Sequence, residues 1–168
     1  MAAENKFKMS QERLDKLKDE LHYLETVREE EVSELITDPH TIIALSDAGA
    51  HASQLCDACY STYLLGHWVR ERKAFTIEQA VHNLTQRPAE MFGITDRGLL
   101  AEGRPADVVV FDPKTVGPGP LKRVYDLPAG ADRLVSEASG IDAVVVNGRL
   151  IRRNVQRIFI SRNGFRRA

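Results

Sequence analysis

Ile42-Ile43-Ala44-Leu45-Ser46-Asp47-Ala48-Gly49-Ala50-His51 is the stretch whose reading decides the fold. Four apolar residues in a row predict a short strand buried on both faces. The run ends at Ser46-Asp47, and small residues with a glycine follow. An acid at the carboxyl end of a buried parallel strand sits where barrel enzymes keep catalytic groups. Asp also turns chains and caps helices, and the local pattern alone favours that plainer role for Asp47.

Outward from this stretch, residues 52–72 are predicted to form a helix with Leu55, Cys59, Tyr63, Leu64, Leu65 and Val69 on its apolar face. Cys56-Asp57-Ala58-Cys59 has the CxxC form, with His51 and His67 nearby in sequence. A structural zinc site needs two such pairs, or one pair plus two well-spaced histidines, so core packing is the preferred reading of these cysteines. His67 is likewise read as a packing residue. Thr76-Ile77-Glu78-Gln79 is a capping box that opens a helix through Leu84, with His82 on its outer side. Pro88 starts one further turn and Gly93 closes it.

From Gly98 onward the pattern turns to strands. Val108-Val109-Val110-Phe111 is predicted as a buried strand stopped by Asp112-Pro113. Gly117-Pro118-Gly119-Pro120 is predicted as loop. Asn147-Gly148 between two apolar runs signals a tight hairpin. Residues 157–160 offer one more strand and Asn163-Gly164 a turn.

Several pieces of this region, in order, resemble the C-terminal part of the amidohydrolase superfamily in its D-aminoacylase branch. They are residues 46–51, Leu65-Gly66-His67-Trp68-Val69-Arg70, Leu84-Thr85-Gln86-Arg87-Pro88-Ala89, Arg97-Gly98-Leu99-Leu100, residues 103–112, and Val144-Val145-Val146-Asn147-Gly148. The resemblance implies a metal-dependent hydrolase of amide C–N bonds in N-acyl-D-amino acids or similar small amides. It also implies zinc as the parent cofactor, and Asp47 as both metal ligand and catalytic proton carrier. The family's His-x-His pair, its bridging ligand and its two later histidines have no counterpart here. The chain holds five histidines, and no two are separated by a single residue. Since one carboxylate cannot hold a zinc ion, the chain alone is expected to bind none and to be inactive. In the family the strands after Gly98 belong to a small β domain completed by N-terminal strands absent here, which leaves open edges.

Upstream, Ser10 is a helix N-cap, and Leu14, Leu17, Leu21 and Leu24 recur at steps of three and four. They predict an amphipathic helix of about seven turns with a narrow seam that suits one partner helix. Self-association is the simplest form of that partnership. Met9 to Leu21, Tyr23-Leu24, Thr26-Val27-Arg28 and Glu31-Val32 resemble the first coiled-coil helix of Gre-family transcript cleavage factors. That likeness implies RNA polymerase as a remote partner. Thr37-Asp38-Pro39 ends the helix before any acidic tip or return helix. Residues 36–39 therefore read as a seam between two unrelated sequences, a chimera either natural or engineered.

The chain has 168 residues and a formal net charge of −1. Eight strand–helix units need about 250 residues. The expected fold class is therefore mixed α and β: a long N-terminal helix, a partial α/β barrel piece and a small β-rich region, not a complete barrel. The expected domains are 1–36 as a helical arm, 37–151 as the amidohydrolase-like segment and 152–168 as a basic tail. The last twenty residues carry seven arginines, from Arg149 to Arg167, and no acid, and solvation is their default role. With no apolar run long enough for a bilayer and no signal-peptide core, a cytoplasmic location without membrane partners is expected.

Overall fold

The computed structural model describes residues 10–43 and 51–154, and the backbone of residues 156–161 and 164–167. The chain forms two compact units, Met1–Thr41 and Ile42–Ala168.

The first unit is helical. Ser10 Oγ accepts from the Arg13 backbone N–H and starts α1, Gln11–His22. A π-helical stretch, Tyr23–Val27, carries the chain into α2, Arg28–Thr37. Thr26 sits in that stretch and donates its hydroxyl to the His22 carbonyl at 2.6 Å, a back-bond that loosens and bends helices. Asp38 then takes extended φ/ψ ahead of Pro39 and stops the helix. No residue of α1, the π stretch or α2 is buried.

In the second unit the predicted strand at 42–45 is not seen where it can be judged. Ile42 and Ile43 are half-buried and belong to no strand, and residues 44–50 lie outside the described residues. The helix predicted over 52–72 begins later. His51 has φ 48°, its carbonyl accepts from Gln54 and Leu55 N–H, and Cys56 is non-helical. A 3-10 turn at Asp57–Cys59, the short α3 at Tyr60–Tyr63 and a π-helical segment at Leu64–Glu71 follow as one run. Only the last of these supplies core residues, Leu64, Leu65 and Trp68. The predicted apolar face was drawn one segment too long, since Leu55 is 52% exposed.

The capping box is formed as predicted. Gln79 N–H donates to Thr76 Oγ1, Thr76 N–H donates to Gln79 Oε1, and α4 spans Ile77–Leu84. His82 is exposed. Helix α5, Gln86–Met91, holds Pro88 as its third residue rather than its first, and Gly93 follows with φ 69°. Ala80 and Ala89 complete the helical side of the core, with Phe75 and the fully buried Val116.

The β region has one five-stranded antiparallel sheet in the order β1-β6-β7-β8-β9 and two small two-stranded ladders. Its strands are β1 Val108–Phe111, β6 Ile141–Val146, β7 Arg149–Arg153, β8 Gln156–Ser161 and β9 Gly164–Arg167. The ladders pair β2 Gly117–Pro118 with β5 Ala138–Ser139, and β3 Lys122–Val124 with β4 Arg133–Val135. Asn147 (φ 49°) and Gly148 (φ 74°) form the two-residue turn from β6 to β7, which needs positive φ at both positions.

Two strand expectations change. The strand at 108–111 is not buried: β1 lies at the sheet edge, with Val109 53% and Val110 48% exposed. Continuous valine runs suit a strand covered on both sides, but nothing in this run of letters says whether the covering layer is present. Gly117-Pro118 pairs as a two-residue edge ladder instead of remaining loop, a place where Pro is tolerated. The whole is a mixed helix-and-sheet chain without a closed barrel among the described residues.

Candidate functional site

Asp47, the residue that the family resemblance implies as metal ligand and proton carrier, lies outside the described residues. The structure does place its downstream neighbours. Just after it, the turn at His51 hands the chain to Ala52, whose carbonyl accepts from Leu134 N–H at 2.8 Å. This bond ties the segment after Asp47 to β4.

The two cysteines are half-buried and free. Cys59 Sγ donates to the Cys56 carbonyl at 3.4 Å, a contact within the turn. Burial and the adjoining Cys56 raise the Cys59 thiol pKa above its ordinary value. A catalytic or metal-binding cysteine needs the opposite, a stabilised thiolate. Neither cysteine is among the buried core residues.

His67 is fixed by its own helix. Its ring stacks on Tyr63 with centroids 4.8 Å apart, meets Trp68 edge-on at 5.1 Å, and sits 3.0 Å from Glu71 Oε2 through Nδ1. The hydrogen bond with His67, helped by Arg70, holds the Glu71 carboxyl below its usual range. One turn on, the Arg70 guanidinium donates to the carbonyl of the buried Val116. The Arg70 bond ties the π-helical segment to the residue just before β2. His40 is engaged elsewhere, 3.0 Å from Asp38 Oδ1 in the first unit.

Among the described residues no group of three or more His, Cys, Asp or Glu side chains could hold a metal ion. The donors among the described residues therefore do not fit the zinc that the family resemblance implies, and no catalytic step is derived through it.

What the motif residues do build is a polar knot. Asp107 Oδ1 accepts from the Asn147 backbone N–H at 2.7 Å, its Oδ2 accepts from Arg97, and Arg97 donates to Asn147 Oδ1 at 3.1 Å. The Asn147 N–H, and after it Arg97, hold the Asp107 carboxyl below the usual carboxylate range. At the β3–β4 ladder, Asp126 takes a bidentate pair from Arg133 at 2.7 Å on each oxygen. Sequence reasoning quoted Arg97, Asp107 and Asn147 without assigning them work. Three residues 10 to 50 positions apart carry no local signal of a shared contact.

The chain belongs to the Amidohydrolase family, whose pattern residues 1–152 match. It is 45% identical over 87 residues to the N-acyl-D-glutamate deacylase of Alcaligenes xylosoxydans xylosoxydans, covering 52% of this chain and 16% of that protein. It is 34% identical over 122 residues to the D-aminoacylase of the same organism, covering 71% and 23%. The crystal structure of N-acyl-D-glutamate deacylase from Bordetella bronchiseptica, complexed with zinc and a phosphonate inhibitor, is 41% identical, with 54% of this chain and 17% of that chain covered and a TM-score of 0.43. The chain thus spans 16 to 23% of the length of these curated relatives.

Proposed function

We propose that this chain is the C-terminal segment of a metal-dependent amidohydrolase that cleaves the amide C–N bond of N-acyl-D-amino acids, and that it is inactive by itself. Water is consumed in that reaction, the C–N bond breaks, and a carboxylate and a free D-amino acid result. The observation that carries the reading is the 45% identity over 87 residues that amount to 16% of an N-acyl-D-glutamate deacylase. The second half rests on the sequence, in which no two of the five histidines are separated by a single residue. Asp47 is proposed as one metal ligand and proton carrier within the completed site, on its sequence match alone.

The test is an assay of the purified chain with N-acetyl-D-glutamate and added zinc. No D-glutamate release is expected. Addition of the complementary barrel portion of a D-aminoacylase-type enzyme is expected to restore release, and Asp47→Ala to abolish it again. Hydrolysis by the chain alone that depends on Asp47 would overturn the proposal.

A second reading is favoured by the exposed leucines of α1 (Leu17 44%, Leu21 53%). On it, residues 1–36 are an interaction arm. The likeness of residues 9–36 to a Gre coiled-coil helix supports an arm, with RNA polymerase as a remote partner that a pull-down with core polymerase checks. The family match runs through residues 36–39, which weighs against a chimera joined there. The source genome across that junction decides the point.

A further inference from the structure

We propose that the N-terminal helix pairs antiparallel with the same helix of a second copy of this chain, Leu14 against Leu24 and Leu17 against Leu21 of that copy. The proposal stands independently of the hydrolase reading. Four leucines at steps of three and four form a single seam along α1 and the first turn of the π stretch, and they are 38%, 44%, 53% and 40% exposed. A seam of that width matches one helix, because a and d positions fill the holes of one facing helix.

The charges beside the seam choose the occupant and its direction. With Leu14 and Leu21 at a and Leu17 and Leu24 at d, Arg13 and Glu20 fall at g and Lys18 and Glu25 at e. In a parallel pair each g residue meets the e residue five positions on in the other copy. Arg13 would then face Lys18, and Glu20 would face Glu25, so every flanking pair would repel. In an antiparallel pair e lies beside e and g beside g. Lys18 then reaches Glu25 of the second copy, and Arg13 reaches its Glu20, so both flanks hold opposite charges. Such flanking charges set partner and orientation in helical pairs. The π-helical stretch bounds the pairing. One extra residue in the turn rotates the seam, so Arg28 and Glu31 leave the line that the leucines draw.

Sedimentation equilibrium of the full chain over a range of concentrations tests the pairing. A reversible dimer is expected, and Leu17→Glu with Leu21→Glu is expected to return the monomer mass with helical circular dichroism retained. Direction is read by disulfide trapping in a Cys56→Ser, Cys59→Ser background. Leu14→Cys mixed with Leu24→Cys is expected to cross-link, and Leu14→Cys alone is not. A monomer at every concentration, a dimer that survives both glutamates, self-cross-linking of Leu14→Cys, or no cross-link in the mixture would each overturn the proposal.

Discussion

The Asp107 carboxylate accepts a hydrogen bond from the Asn147 backbone N–H at 2.7 Å, across 40 residues of sequence. It clamps the start of β1 to the turn between β6 and β7, and Gly148 N–H adds a bond to the Ala106 carbonyl at 2.9 Å. The hairpin signal and the Asp-bearing strand are thus two ends of one contact.

That contact makes stability depend on acid. A carboxyl whose pKa is lowered by folding contributes stability above its unfolded value and loses it as pH falls through the folded one. Asp107→Asn is expected to lower the melting temperature near neutral pH. The gap should shrink below about pH 4, where an unperturbed Asp begins to protonate. A gap that stays constant down to about pH 2.5 would show that the charge of Asp107 does not matter.

Gly98 and Gly103 both have positive φ, 85° and 80°. A Cβ at Gly98 would meet Ala89 Cβ at 2.8 Å, while one at Gly103 would meet nothing within 4 Å. Gly103→Ala should cost about 1 kcal/mol of backbone strain. Gly98→Ala should cost roughly 1–3 kcal/mol more, through the added overlap. Equal midpoints for the two variants in urea would contradict the close approach.

The single tryptophan, Trp68, lies in the core beside Leu64 and Leu65, so its fluorescence follows unfolding of the second unit. Leu64, 3% exposed, is expected to cost about 2–5 kcal/mol as Leu64→Ala. Leu100, 70% exposed, should stay within about 0.5 kcal/mol as Leu100→Ala. Comparable losses at the two positions would mean that the core is not where the structure puts it.

Cys59 should alkylate slowly. Its thiol is raised by burial first and by Cys56 second, and only the thiolate attacks. In a Cys56→Ser background, iodoacetamide should label Cys59 more slowly than free cysteine at the same pH, with the rate still climbing where free cysteine has levelled off. Labelling faster than free cysteine would revive a reactive role.

The elements that sequence reading caught are those written within a few residues. Ser10 over Arg13, Thr76 with Gln79, and Asn147-Gly148 each specify a local geometry, and each is formed. The readings that changed depended on what lies beside a segment. A four-residue valine-rich strand reads as buried whether or not a covering layer is present, and β1 turned out to be an edge. The helix over 52–72 has the right period, but the turn held by His51 and the non-helical Cys56 delays its start to Asp57. The Arg97–Asp107–Asn147 knot was invisible because each partner is distant in sequence. Asp47 was singled out through a family pattern, and it lies outside the described residues.

The helix from Gln11 to Thr37 contains no buried residue, and that sets how its amides behave in heavy water. Opening it exposes little new apolar surface, so its backbone exchanges by local fraying instead of waiting for global unfolding. The loosened bonds at Tyr23–Val27 give exchange a starting point in mid-helix as well as at the ends. The amides of β6, paired on both sides by β1 and β7, exchange on a much slower clock. If two helices meet along their leucines, the fast clock alone should slow as the protein is concentrated.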